Sequence, residues 1–333
     1  MHLCLGLRPD PDTGLFAPDD LAYARQLGVT HAQFRTEWML EPTKKGPIPQ
    51  DKLQRCCDQL HAEGLAAAVA LLPQGRETQY WEARLGTPGR DREIDDVCES
   101  LRNIGAAGVP VVEWTWSIPD VYGSVPGGNN LGRGGAQVRV FDYALVEETG
   151  PVTPREATSA EQMWERLEYF LERVVPVAEE CGLRLALHPH DPPTPFLRGE
   201  ARALGSVEGM KKLVELVPSP ANGLNFCQGT VAEMGVDVIG AIRYFGERDK
   251  INHVHFRNVK GAMPSFQESF IDDGDTDMRA AMGAYHEVGY RYSMMPDHTP
   301  RVAGDTSYGH IGRAFAVGYM RALIQTVEEA DPQ

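Results

Sequence analysis

Aromatic residues are scarce in this sequence, at 8% of 333 residues, and no stretch approaches the roughly eighteen consecutive apolar residues of a membrane-spanning helix. The 42% of hydrophobic residues still suffices for a full core. Basic residues are in deficit: 32 Lys and Arg stand against 47 Asp and Glu, a net charge of −15. Nucleic acid and anionic membranes select basic faces, so neither is expected as a partner. The same deficit sets a condition, because an anionic substrate would need a local cluster of cations or a metal to attract it. The six cysteines, Cys4, Cys56, Cys57, Cys98, Cys181 and Cys227, form no CxxC and no knot-like spacing, which speaks against a disulfide framework. They are expected as free thiols packed as small apolar groups, with Cys227 set apart by its position. The opening MHLCLGLRPDPD has no basic region, no adequate apolar segment and no small-residue cleavage site, so the cytoplasm is the expected address.

Nucleotide and calcium signatures are missing as well. GGNNLGRGG lacks the GxGxxG spacing and does not open a helix directly after a strand, and there is no P-loop and no G-x-S-x-G. No nucleotide cofactor is therefore expected. Asp272-Asp273-Gly274-Asp275 fails the EF-hand spacing and has no glutamate at the closing position.

What is present is a rhythm. Short apolar runs, the candidate strands, fall at 3–8, 30–35, 65–71, 109–116, 183–189, 223–229, 251–258 and 292–298. Amphipathic, helix-like stretches lie near 18–27, 50–63, 91–104, 159–181, 206–216, 234–245, 276–288 and 308–328. Pro18-Asp19-Asp20, Ser159 with Glu161 and Ser206 with Glu208 read as helix starts, and Gly64, Gly182 and Gly289 as C-caps before the next strand. Strict strand-then-helix alternation implies a parallel sheet, and eight repeats favour closure into a single (β/α)8 TIM barrel spanning residues 1–333. Two connections are too long to be mere links: 117–158 after the fourth strand and 259–275 after the seventh. Both would lie on the C-terminal face, where barrel sites are built, and 117–158 is expected to act as a lid.

The last four candidate strands each end in a residue able to bind a metal: His188, Cys227, His255 and Asp297. In a closed barrel these ends are neighbours, so the four could converge without being close in sequence. A lone strand histidine is usually a core residue and a lone cysteine a packing thiol; four consecutive strand ends are a different matter. Imidazole with thiolate suits a divalent transition ion and disfavours Mg²⁺, without choosing among Zn²⁺, Fe²⁺ and Mn²⁺. His253, His255 and Arg257 share a strand face by parity. Of the two histidines, His255 is expected at the rim and His253 lower, as a packing or supporting group.

LHPHDPP, NFCQGT, VHFRNV, the F-x-E-x-x-x-D-D-G-D-x-D-M pattern at 266–278, MPDHTP and GRAFAVGYMRAL together resemble the mannonate dehydratases, densely from about residue 183 to 325. The resemblance implies a cytoplasmic lyase of hexuronate breakdown that dehydrates D-mannonate to 2-keto-3-deoxy-D-gluconate with Mn²⁺ or Fe²⁺. It carries over His188, Cys227, His255 and Asp297 as ligands, and Arg257, His298 and Tyr308 as the catalytic groups. His190, Arg257, Asn258 and Arg313 are expected to contact the sugar acid, Arg257 as a cationic fork for a carboxylate. Two departures stand out: His190 replaces the first aspartate of the usual HPDDPP, and the N-terminal signature rich in Phe, Arg and Trp is replaced by MHLCLGLRPDPDTG. Both bear on the substrate more than on the reaction class.

Two rival readings remain at this stage. A metal-dependent isomerase or epimerase of the xylose-isomerase-like type would want paired strand-end glutamates, and only Glu113 is placed to serve. A non-catalytic sugar-acid-binding barrel would explain the altered His190 but not the retention of the whole ligand set with Arg257 and His298. Homo-oligomerisation is compatible with a barrel and has no signature in one sequence.

Overall fold

The computed structural model describes residues 1–118, 130–146 and 153–330. Eight parallel strands close into a barrel: β1 (His2–Leu7), β2 (His31–Arg35), β3 (Ala66–Leu71), β4 (Val111–Thr115), β5 (Arg184–His188), β6 (Asn222–Cys227), β7 (Ile251–His255) and β8 (Ser293–Met295). Each pairs with its sequence neighbours, and β8 closes on β1 through His2 opposite Ser293. Six of the eight strands lie within the predicted segments, and the other two, β1 and β6, start one residue earlier, at His2 and Asn222. The predicted ends overshoot most at β6, which stops at Cys227, β7 at His255 and β8 at Met295, and the chain beyond each turns into the site loops.

Eight helices cover the barrel: α1 (Pro18–Gln26), α2 (Gln50–Ala62), α3 (Arg90–Ala106), α4 (Ala160–Glu180), α5 (Val207–Leu216), α6 (Val238–Gly246), α7 (Met278–Glu287) and α8 (His310–Ala330). The start of α4 shows why the sequence signal was readable: Ser159 accepts from the Gln162 amide while the Gln162 side chain returns to the Ser159 amide. Such a reciprocal cap satisfies two of the otherwise orphaned N–H groups and contributes about 1 kcal/mol. The predicted helix at 234–245 corresponds to α6, which starts later, capped by Asp237, and an unpredicted short helix over Gln228–Glu233 directly follows β6. Among the described residues no helix is long and apolar enough to cross a membrane.

The two long connections meet. Val140–Asp142, from the first, pairs with Ser265–Glu268, which in turn pairs with Val259–Ala262, forming a three-stranded antiparallel sheet after β7. Gln137 also exchanges backbone hydrogen bonds with Arg301, at 3.0 and 2.9 Å. Residues 119–129 and 147–152 of the expected lid lie outside the described residues.

Candidate metal centre and active-site cavity

Register places the first two donors. His255, the last residue of β7, stands opposite Cys227, the last of β6, so their side chains leave the barrel wall side by side. His188 ends β5, and Asp297 follows β8 in a left-handed backbone conformation, φ 50°. A non-glycine residue held there is uncommon and recurs where surrounding structure fixes a functional side chain. One donor atom from each of His188, Cys227, His255 and Asp297 lies within 4.8 Å of the other three.

The supporting contacts leave the right atoms free. The Nδ1–H of His188 donates to the Pro189 carbonyl at 2.7 Å, which turns Nε2 toward the cluster. His255 Nε2 lies 2.9 Å from the Asn225 amide and 3.5 Å from Glu113, whose carboxylate also accepts from Gln33. His255 Nδ1, fully buried, has no hydrogen-bond partner and sits 3.4 Å from Asp297 Oδ2. Metal-bound imidazoles commonly donate their second ring N–H to a carbonyl or carboxylate, as His188 does to Pro189 and as Glu113 is placed to accept from His255. Burial alone would raise the Cys227 thiol, but Arg257 and the adjacent His188 and His255 rings bring it well below its ordinary value, toward thiolate. Burial opposes ionisation of Asp297 too, and His298, His255 and Arg257 overcome it, holding that carboxyl well below the usual range. Two imidazole nitrogens, a thiolate and a carboxylate could hold a divalent transition ion. His253 packs below, its Nδ1 on the Ser293 carbonyl at 2.9 Å and its pKa lowered to about 4 by burial and by His255.

His188, His255 and Asp297 line a cavity of about 630 Å³, together with Glu113, Asp191, Glu268, His298, Tyr308 and Arg313. His298 donates from Nδ1 to Glu268 Oε1 at 2.6 Å, and its Nε2 accepts from Arg139 at 3.1 Å. Tyr308 directs its hydroxyl to the Gly6 carbonyl at 2.8 Å, and burial raises its pKa. Arg313 reaches the Asp297 carbonyl at 2.6 Å and the Tyr308 carbonyl at 3.0 Å.

Three expected substrate contacts sit elsewhere. Arg257 lies beyond β7, 3% exposed, and does not line the 630 Å³ cavity. Its guanidinium is enclosed by Asp191 at 2.6 Å, Glu233 at 2.7 Å, Asp297 at 3.1 Å and Glu268 at 3.8 Å, so it is not a free fork for a ligand. Burial would lower its pKa, yet Cys227 and these carboxylates hold it well above the ordinary value. Asn258 spans the loop after β7, donating to the Ile271 and Thr276 carbonyls and accepting from the Val259 and Thr276 amides. His190 is 2% exposed: its Nε2–H donates to the Trp116 carbonyl at 2.6 Å and its Nδ1 accepts from the Leu204 amide at 3.3 Å. Burial and neighbouring Arg202 keep that ring neutral, so the replacement adds no charge beside the donors; His188 and Asp191 of this run line the 630 Å³ cavity, and His190 lines an adjoining one of about 310 Å³.

Sequence reasoning passed over Arg8, Arg139, Arg301, Asp191, Glu233 and Glu268. Glu268 stands in the quoted F-x-E pattern and Asp191 beside His190, so both were in view. Gly229 carried the signal for Glu233: a Cβ there would lie 2.4 Å from Arg257 Nη1, so only glycine lets the short helix approach.

A family model described as D-mannonate dehydratase (UxuA) matches residues 152–333. A mannonate dehydratase of Thermotoga petrophila is 31% identical over 291 residues, covering 74% of this chain and 79% of its own length. Mannonate dehydratase 2 of Halalkalibacterium halodurans is 29% identical over 310 residues, covering 85% and 88%. The crystal structure of mannonate dehydratase from Streptococcus suis serotype 2 superposes with a TM-score of 0.86 at 26% identity, over 99% of this chain and 96% of that one. D-Psicose 3-epimerase of Clostridium cellulolyticum H10 shares the fold alone, with a TM-score of 0.64 at 13% identity over 97% of this chain and 99% of that one. The chain belongs to the mannonate dehydratase family, and is a hydro-lyase of sugar acids.

Proposed function

We propose that this enzyme dehydrates D-mannonate to 2-keto-3-deoxy-D-gluconate, with one Mn²⁺ or Fe²⁺ held by His188, Cys227, His255 and Asp297. The observation that carries the reading is the convergence of those four donors, one of them the unpartnered, buried Nδ1 of His255. Charge agrees with it. A thiolate and several buried carboxylates outweigh Arg257, and a divalent cation offsets that excess. When bound, such an ion supplies Lewis acidity toward the carboxylate and neighbouring hydroxyl of the substrate.

The remaining work falls to the protein. The proton next to the carboxylate has to leave, and His298 Nε2 is the base suited to take it, because Glu268 fixes the proton on Nδ1. Arg139 occupies that Nε2 in the absence of substrate, and an arriving carboxylate would draw its guanidinium away. The β-hydroxyl leaves as water with a proton from the Tyr308 hydroxyl, and the resulting enol becomes the 2-keto product. Arg313 positions Tyr308 and Asp297 through their carbonyls. Arg257 positions Asp191, Glu233 and Asp297 and touches no reacting atom. His190 and Asn258 hold their loops. Residues 1–333 form one unit in this reading, with 117–158 as its cover, supported by the pairing of Val140–Asp142 with Ser265–Glu268.

Anaerobically purified protein loaded with Mn²⁺ or Fe²⁺ should convert D-mannonate to 2-keto-3-deoxygluconate. His298→Asn should keep metal and fold while losing about 10²–10⁴ in turnover. Full turnover in that variant removes His298 from the proton path, and solvent-deuterium exchange without water loss would mark an isomerase instead.

A further inference from the structure

A cavity of about 630 Å³ lies within the roughly 300–1,000 Å³ range that holds small-molecule ligands. Its charge is also unusual. In a chain with 47 acidic and 32 basic residues, five arginines line this one cavity: Arg8, Arg35, Arg139, Arg301 and Arg313. Arg35 pairs with Glu37 at 2.8 Å. The other four have no carboxylate partner among the described residues, and contact only rings and carbonyls: His298 for Arg139, the Tyr308 and Asp297 carbonyls for Arg313, the Tyr308 ring for Arg8 and the Ser307 carbonyl for Arg301.

These four divide by neighbourhood. Arg139 and Arg313 adjoin His298 and Asp297, at the reacting end. Arg8 and Arg301 lie against the 307–308 turn, the Arg8 guanidinium 5.9 Å from the Tyr308 ring centre and Arg301 Nη2 3.4 Å from the Ser307 carbonyl. Both are exposed at the mouth, and the Arg301 backbone is pinned by its paired bonds to Gln137. A monoanionic aldonate would need the first pair only.

We propose that the preferred substrate is a dianionic sugar acid, bearing a second carboxylate or a phosphate at the end remote from the reacting carbon, and that Arg8 and Arg301 bind that second charge. The proposal rests on the sugar-acid dehydratase reading of the cavity and leaves its chemistry unchanged. Guanidinium forks bind carboxylate or phosphate in paired, charge-assisted hydrogen bonds. A positive mouth on an otherwise acidic protein also concentrates dianions over monoanions.

Metal-loaded enzyme is assayed with D-mannonate, D-mannarate and D-mannonate 6-phosphate, and binding of each is followed by calorimetry. At least one dianion should show a KM and Kd about tenfold or more below those of D-mannonate, the effect of one added charge-assisted hydrogen bond. Mannarate and the 6-phosphate separate a carboxylate from a phosphate subsite. Arg301→Gln should erase the preference and leave D-mannonate turnover unchanged; Arg8→Gln should erase it too, while Arg8→Lys retains part of it. Equal KM and Kd for all three acids, or arginine variants that weaken all three alike, would overturn the proposal. If none of the acids is dehydrated, the reaction reading fails, and the calorimetric preference alone still decides the subsite.

Discussion

Arg257 shows how a correctly noticed residue can have a different task. By parity it belonged on the face of His255, and its charge suggested a substrate carboxylate; the structure surrounds it with four protein carboxylates instead. That enclosure supports a role in stability and in the placement of Asp191, Glu233 and Asp297. Removing one member of a buried, paired charge cluster costs about 3–5 kcal/mol, because the partners stay buried without compensation. Arg257→Gln should lower the unfolding free energy by that amount in urea titrations, whereas His298→Asn should leave it nearly unchanged. An Arg257→Gln protein of full stability and impaired turnover would return this residue to the substrate. Partner choice of this kind is not legible in sequence, since Asp191 and Asp297 are separated from Arg257 by dozens of residues and meet it only through barrel closure. The partners of His190 were hidden for the same reason: the Trp116 and Leu204 backbone groups that engage its ring come from other loops.

At the level of elements, the barrel strands and their covering helices were legible because each carries a long enough apolar period and a start or stop residue. The short antiparallel strands at Val140–Asp142 and Ser265–Glu268 were not, being too brief to show alternation. The short helix Gln228–Glu233 was not foreseen for a similar reason, its first two residues being read as strand, and it matters most because it delivers Glu233 to Arg257. Gly229 is the test of that packing. Gly229→Ala would set a Cβ 2.4 Å from Arg257 Nη1 and 2.6 Å from its Cγ, forcing the guanidinium out of its cage. Gly283→Ala, within α7, meets nothing within 4 Å and exchanges a poor helix former for the best one. Thermal unfolding should therefore show a lower midpoint and lost turnover for the first, and an unchanged or slightly higher midpoint with full turnover for the second. Equal midpoints for the two would contradict the packing described.

Across the whole molecule, chemistry and stability occupy opposite ends of the barrel, as its topology encourages. The donors and the cavity sit where the strands finish; at the other end His2 and His31 stack, ring centres 4.2 Å apart. Burial, His2 and the amino terminus lower the His31 pKa to about 4, from an unfolded value near 6.5. Below about pH 6.5 the unfolded chain binds a proton here that the folded chain refuses until about pH 4, so stability falls as pH drops through that window and is unaffected above it. His31→Gln should flatten the decline in denaturation midpoint between about pH 7 and 5 without altering turnover at neutral pH; an unchanged decline would assign the acid sensitivity to other groups. The quartet at the opposite end was the most legible part of the site, because four consecutive strand ends are made neighbours by closure alone, whatever their distance in sequence. Its occupation by a metal is the point on which the functional account turns. The most direct measurement loads the apoprotein with Co²⁺ and records its absorption beside metal content, for the native chain and for Cys227→Ser. One ion per chain with a thiolate-to-metal charge-transfer band, lost in Cys227→Ser together with D-mannonate dehydration in the Mn²⁺-loaded form, is the expected result. No stoichiometric metal under any loading, or a bound ion whose spectrum ignores Cys227, would contradict it.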